Sequence, residues 1–318
     1  MPRARRIEGR EAPMADTTFH RALDSDLFWS FRKSWTARVS SLVLLVLFGA
    51  AIFAPWLATQ NPYDISQLFL LDSELPPMWI DGGDPRYILG TDQQARDLYS
   101  AILYGLRLSL VVGFASVALA AALGITLGLL GGFLGGIVDA AIMRVADILL
   151  SFPAILVALL VNGIARGVLP PDQHADAAIW VLILAIGLTN WVQYARTVRG
   201  STMVERQKEY VQAARINGVS GSGIMIQHIL PNVLGPVLVI ATINLGMAVL
   251  TEATLSFLGV GMPATQPSLG TLIRIGNEYL FSGIWWVVIF PSVVLVVLVL
   301  AVNLLGDWLR DALNPKLR

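Results

Sequence analysis

Few residues of this chain have a type and spacing that could do chemistry. Its 318 residues include no Cys and three His, and His20, His174 and His228 lie too far apart in sequence to predict a metal site. Arg144 and Asp147 are the exception. They stand three residues apart in an apolar run, and this spacing places them on one face of a helix, where they can form an ion pair. The pair would serve either helix packing or a moving gate.

Sequence patterns of enzyme active centres are missing from the chain. It contains no GxxxxGK[ST] phosphate-binding loop, no HExxH zinc motif and no GxSxG nucleophile elbow. We therefore predict no catalytic residue, no bound metal and no cofactor, and we do not expect an enzyme. If the protein uses ATP, another chain must bind the nucleotide.

The composition indicates a protein that crosses a membrane several times. Hydrophobic residues make up 55% of the chain and charged residues 14%, against about 25% charged in a soluble domain. Its 22 basic and 22 acidic residues balance, which gives no argument for nucleic-acid binding. The apolar runs can cross ~30 Å of hydrocarbon, where the backbone must be helical because lipid offers no hydrogen-bond partner. We predict an all-α integral membrane fold with six transmembrane helices, at residues 39–57, 106–130, 142–161, 178–194, 233–250 and 284–305.

The distribution of basic residues predicts the orientation. Lys and Arg number eight in the tail 1–38, five in the loop 195–232 and three in the tail 307–318, but two in the segment 58–105. By the positive-inside rule, both tails and the loop 195–232 are cytoplasmic, and 58–105 is extracytoplasmic. The first apolar run is expected to be a retained anchor rather than a cleaved signal, and Met14 is an alternative start.

Other residues in or near the apolar runs are given structural roles. Pro153 is expected to kink the third helix. Glu252 is expected to be an exposed interfacial side chain, and lining an internal path is the alternative. Small residues at fourfold spacing predict a close-packing surface, within the chain or with a partner: Gly124, Gly128, Gly131, Gly132, Gly135 and Gly136. An aromatic belt is predicted at the membrane interfaces, from Trp79, Trp180, Trp191, Trp285 and Trp286.

The loop 195–232 contains the most distinctive pattern. Tyr210, Val211 and Ala214 recur at helical spacing, and Gly218 suits a left-handed helix cap. A second short helix is predicted to run into Pro231. The small pair at 213–214 would let another protein approach closely. The helix is therefore either a solvated amphipathic segment or a docking element, and the pattern alone favours neither.

The same loop resembles the EAA loop of ABC importer permeases. The match is Gln212-Ala213-Ala214 with Gly218 and then Leu230-Pro231, although Gln212 stands where the family usually has Glu. Three further stretches, at 89–109, 256–270 and 303–315, resemble the dipeptide and oligopeptide branch of that family, with Ala95 replacing its usual Gly. The resemblance covers about residues 86–318 and is to the second permease subunit of the branch.

The resemblance implies a fold, a function and partners. The fold would be the type-1 transmembrane fold of ABC importers, with its permease core at 106–306. The importer would move di- or oligopeptides, or alternatively nickel, glutathione or an opine-like solute. Its partners would be a homologous permease, two ATPase subunits that use ATP and Mg²⁺, and an extracytoplasmic binding protein. The loop would couple to the ATPase through Glu209, Tyr210, Gln212, Ala213, Ala214, Gly218, Leu230 and Pro231.

Two functions from other classes compete with this reading. An ion-coupled secondary transporter would favour buried acid or His relays and inverted repeats, but the sequence has few buried acids and no obvious repeat. An intramembrane hydrolase would need a nucleophile and a base inside the bundle, and no His lies in a predicted transmembrane helix.

Overall fold

The computed structural model describes residues 26–313. Predictions for residues 1–25 and 314–318, including His20 and the end of the 303–315 stretch, lie outside the described residues. Within the described range the backbone forms helices and turns, and its strand pairing is limited to an isolated bridge between Thr91 and Asp97. The expected all-α fold is therefore confirmed.

The α-helices of eight or more residues are named in chain order. They are α1 (Asp26–Lys33), α2 (Trp35–Ile52), α3 (Leu98–Leu134), α4 (Gly136–Leu150), α5 (Ala154–Val168), α6 (His174–Glu205), α7 (Glu209–Ile216), α8 (Leu230–Phe257), α9 (Leu269–Glu278) and α10 (Trp286–Leu313). A π-helical turn at Ile224–Ile229 leads directly into α8.

Five helical stretches are long and apolar enough to cross a membrane, and a bent pair brings the number to six if it counts as one span. The five are Trp35–Ile52, Leu98–Leu134, Pro171–Glu205, Gly221–Phe257 and Trp286–Leu313. They contain or overlap five of the predicted runs. The bent pair, α4 and α5, holds the remaining one.

The predicted third helix is wrong as a continuous span. The chain leaves helical geometry at 151–153, and α4 and α5 meet at 94°. Pro153 lacks an amide hydrogen and restricts the residue before it, so the backbone cannot continue the helical hydrogen bonds there. The kink was expected at this residue, and the structure has a full break instead.

The helices also extend past the predicted ends. Asp97 caps α3, and its side chain accepts a hydrogen bond from the Ser100 amide at 3.1 Å, so the helix begins eight residues before the apolar run. At the other end of the bundle, α6 continues to Glu205 through Arg196 and Arg199, whose side chains pair with α4. Hydropathy alone does not predict that a helix continues through charged residues whose side chains form ion pairs.

Close packing of α3 against α6 forms the centre of the bundle. At Gly124, Gly128 and Gly132, an added Cβ atom would collide with the α6 backbone. These three residues, called here the glycine stripe, let the two backbones approach more closely than side chains would allow. The predicted close-packing surface is confirmed at these three residues, and it lies within this chain. Gly131, Gly135 and Gly136 do not contact α6 in this way, and Gly135 and Gly136 instead have positive φ at the corner between α3 and α4.

The region after α8 is more than a surface loop. It contains α9, which packs between α8 and α10, with Gly270 against the backbone of Ala253 and Gly276 against that of Val287.

Two residues of the predicted aromatic belt differ from the expectation. Trp191 and Trp286 are buried, because α6 and α10 turn them into the bundle.

Replacing Gly128 by Ala should lower the free energy of unfolding by about 1–3 kcal/mol, because the new methyl group forces α3 away from α6. Thermal unfolding of the detergent-purified chain measures this. Gly200→Ala in α6 is the control, because nothing lies within 4 Å of the added Cβ and Ala favours the helix by up to about 1 kcal/mol. Equal effects of the two substitutions would contradict the role of the stripe.

Candidate functional site: the loop between α6 and α8

A short helix, α7, is held against the bundle by its inner face. Val211 and Ala214 are buried and pack with Ile224, Ile229 and Val233, from the π-helical turn and α8. Their spacing of three residues places both side chains on one face of α7. Apolar burial therefore fixes which side of α7 faces outward.

The chain reverses after α7 in the predicted way. Gly218 has φ +79°. Its amide donates to the carbonyl of Arg215 at 3.0 Å, and the Val219 amide donates to the carbonyl of Ala214 at 3.0 Å. This pair of hydrogen bonds is the Schellman motif, so the expected left-handed cap is confirmed.

Tyr210 ties α7 to both flanking helices. Its hydroxyl donates to Glu205 Oε2 at 2.6 Å and accepts from Asn232 Nδ2 at 3.2 Å. Burial and the neighbouring Glu205 carboxylate raise the pKa of Tyr210 to about 12, so the phenol keeps its proton at neutral pH. Lys208 Nζ contacts the other Glu205 oxygen at 2.6 Å. Leu230 and Pro231 form the first turn of α8, where Pro is tolerated.

The outward face of α7 differs in part from the expectation. Gln212 and Ala213 are exposed, but Ala214 is buried, so only one member of the small pair is accessible. Glu209 is exposed at the start of the helix. Ile216 is 86% exposed, and the sequence reading missed it. Ile216 lies four residues after Gln212, and this spacing would have placed it on the same helical face in the sequence analysis.

Polar contacts join this loop to the ends of α3 and α4. Arg206 Nη1 donates to the carbonyls of Gly132 and Phe133 at 3.0 and 3.2 Å, which satisfies the end of α3. The guanidinium of Arg215 lies 5.7 Å from the ring centre of Phe133. Arg199 forms a two-pronged ion pair with Asp139 of α4. Since Arg199 belongs to α6, a displacement of α7 would act on α3 and α6 directly, and on α4 through α6.

The expected ion pair between Arg144 and Asp147 is wrong. Asp147 pairs instead with Arg196 of α6 at 2.7 Å, because α6 runs beside α4 and brings that guanidinium within reach. Both side chains are about half exposed in the described chain, at 48% and 57%. If the site is open to water, such a pair contributes about 0–1 kcal/mol. No hydrogen bond between Arg144 and Asp147 occurs within residues 26–313.

The expected exposure of Glu252 is also wrong. The side chain is fully buried between α8 and α3, where its two oxygens accept hydrogen bonds from Ser109 and Ser256, each at 2.7 Å. The Ser256 hydroxyl in turn accepts from the Met262 amide at 3.1 Å. This chain of contacts fastens the segment after α8 to the bundle. The partner on α3 lies 143 positions away, which no local pattern could reveal.

The end of the bundle opposite α7 carries the segment 58–97, called here the cap. Asp92 and Arg96 form a fully buried ion pair in it. Arg96 Nη1 also donates to the carbonyl of Ala264 at 2.7 Å, and Trp286 Nε1 donates to that of Thr91 at 3.0 Å. The cap is therefore fixed to the segment after α8 and to α10. Ala95 lies in this turn with φ +59°, a left-handed conformation that favours Gly.

Comparisons with known proteins agree with this architecture. Residues 124–318 match the family model described as binding-protein-dependent transport system inner membrane component, and residues 25–77 match the N-terminal transmembrane domain of oligopeptide transport permease C. The class is thus a membrane permease component of an ABC importer. The chain belongs to the family of binding-protein-dependent transport system inner membrane components. It is therefore a transport subunit rather than an enzyme, and the family works with ATPase and binding-protein partners.

Two relatives match nearly the whole chain. The di/tripeptide transport system permease protein DppC of Pseudomonas aeruginosa is 37% identical over 96% of this chain and 97% of its own length. The dipeptide transport system permease protein DppC of Escherichia coli K12 is 41% identical over 92% and 93%. A solved structure of the MetNI methionine ABC transporter, inward facing, aligns with 67% of this chain and 94% of the matched chain, at 21% identity and a TM-score of 0.49.

Replacing Glu252 by Ala should lower the free energy of unfolding by about 2–5 kcal/mol, because two buried hydroxyls lose their acceptor and a cavity opens. Glu252→Gln keeps the volume and one acceptor oxygen, so its loss should be less than half as large. Thermal unfolding of both variants checks this. A similar loss of unfolding free energy in both variants, or no loss in either, would contradict the buried network.

Proposed function

We propose that this chain is one of two related permease subunits of an ABC importer for di- and tripeptides. The observation that carries the proposal is the match, over more than nine-tenths of the chain, to permease proteins of dipeptide and di/tripeptide transport systems. The proposed orientation puts both termini and α7 in the cytoplasm and the cap outside, because Lys and Arg concentrate on the α7 side.

The coupling step is assigned to α7. Its exposed face, with Gln212, Ala213 and Ile216, would lie in a cleft of an ATPase subunit, which binds ATP and Mg²⁺. Tyr210 would hold α7 to the bundle while the ATPase moves it. The Arg206 contacts to the end of α3 would carry the motion into the paired helices α3 and α6. Alternation between inward- and outward-open states would then move the peptide.

The importer assignment is tested by uptake. A strain without its own peptide transporters, given the genes for this chain and its proposed partners, should accumulate radiolabelled dipeptide, and deletion of this chain should abolish that accumulation. Uptake should also stop when ATP is depleted. Dipeptide uptake that persists without ATP but needs the proton gradient would contradict the proposal, as would uptake of nickel or glutathione alone.

The docking role of α7 is tested at Ile216. Ile216→Asp should reduce both co-purification of the ATPase subunits and dipeptide uptake at least about tenfold, because a charge replaces an apolar contact in the cleft. Ile216→Leu should retain both. The matched control is Ile137→Asp at the corner between α3 and α4, where the Ile is equally exposed, at 88%. Intact association and uptake in Ile216→Asp, or after deletion of residues 212–218, would contradict docking.

A further inference from the structure

A cavity at the cap end of the bundle has no role in the coupling described above. It lies between α5, the start of α6 and the segment 259–263, with a volume of about 280 Å³. Most of its wall is apolar, from Ala165, Leu169, Val181, Val260 and Met262. Small-molecule sites typically measure roughly 300–1,000 Å³, so this volume suits a small solute.

Two guanidinium groups line this apolar cavity. Arg274 of α9 pairs with Glu278 through Nη1 at 3.2 Å, but its Nε is buried and has no hydrogen-bond partner among the described residues. Arg166 of α5 uses its Nε on Asn162 Oδ1 at 3.2 Å, and none of the described contacts engages its two terminal nitrogens. The residues that line the cavity include these two Arg and no Asp or Glu, so the lining carries positive charge and favours an anionic occupant.

The start of α6 adds positive potential to the same wall. His174 and Ala175 line the cavity, and the residue before them, Gln173, gives the helix no side-chain cap. A 3-10 turn at Pro171–Gln173 precedes α6, and the His174 amide donates to the carbonyl of Pro171, so this amide is not available to an occupant. The helix dipole at this end of α6 still favours an anion. The acidic residues nearby, Asp172 and Asp176, are exposed and do not line the cavity.

We propose that this cavity binds the carboxylate of a small organic solute with an apolar body, and that Arg274 is the principal contact. The N–H groups of an Arg guanidinium match the two oxygens of a carboxylate, and the apolar wall would contact the remainder of the solute. The inference rests on the proposed function in one respect, since the orientation given there places the cavity near the side from which solute arrives. A phospholipid phosphate is the other possible source of a matching anion, but the cavity is too small for its acyl chains.

Equilibrium binding to the assembled transporter tests this proposal. The complex of this chain with its permease and ATPase partners, without binding protein, is placed in phosphatidylcholine nanodiscs. Calorimetry then compares alanyl-phenylalanine with its C-terminal amide. The acid should bind at least about tenfold more tightly, because a charge-assisted hydrogen bond contributes about 1.5–3 kcal/mol. Arg274→Gln should lower the affinity for the acid by a similar factor, so that the acid and the amide bind equally tightly.

A matched variant separates binding from structure. Glu278→Gln breaks the same ion pair but keeps the guanidinium, so it should bind the acid as tightly as the wild type or more tightly. Ala178→Phe fills the cavity without changing charge and should abolish binding. Equal affinities for acid and amide, or an unchanged preference in Arg274→Gln, would overturn the proposal. Displacement of the dipeptide by added phosphatidylglycerol would assign the cavity to lipid and also overturn it.

The two proposals can fail separately. Normal dipeptide uptake with the full set of genes, together with no measurable binding, would overturn the cavity assignment alone. Absence of uptake would overturn the importer assignment, whatever the cavity binds.

Discussion

Backbone contact between α3 and α6 is the constraint on which the rest of the structure depends. Helices in lipid gain no hydrophobic free energy from meeting each other, so van der Waals contact must hold them together. The glycine stripe provides that contact along the middle and the α7 end of α3. The broken pair α4 and α5 and the loop with α7 are attached to this unit, and their positions follow from it.

The sequence predicted features whose cause is local. Apolar runs locate the spans, fourfold glycine spacing locates the close contact, and Gly218 locates the end of α7, since each depends on a few adjacent residues. Pro153 marked the right position, but a proline alone does not predict the 94° angle.

Features that depend on distant residues could not be predicted in this way. Glu252 looked interfacial because it follows an apolar run, but it is buried because Ser109 on α3 provides a hydrogen bond. Asp147 has a basic residue three positions away, yet it pairs with Arg196 on another helix. The outward position of Ile216 follows from the burial of Val211 and Ala214 against α8, and that contact also needs the tertiary fold.

The two ends of the bundle differ in how firmly they are held. At the cap end, Asp92, Arg96 and Glu252 are fully buried, and breaking a buried pair by removing one partner costs about 3–5 kcal/mol. At the α7 end, the pair Asp147–Arg196 is half exposed and contributes far less, and the pair Arg199–Asp139 is partly exposed, at 31% and 16%. A force applied at α7 would therefore shift α4 against α6 more easily than it would loosen the cap. The Asp92–Arg96 ion pair of the cap end is more deeply buried than the ion pairs of the α7 end.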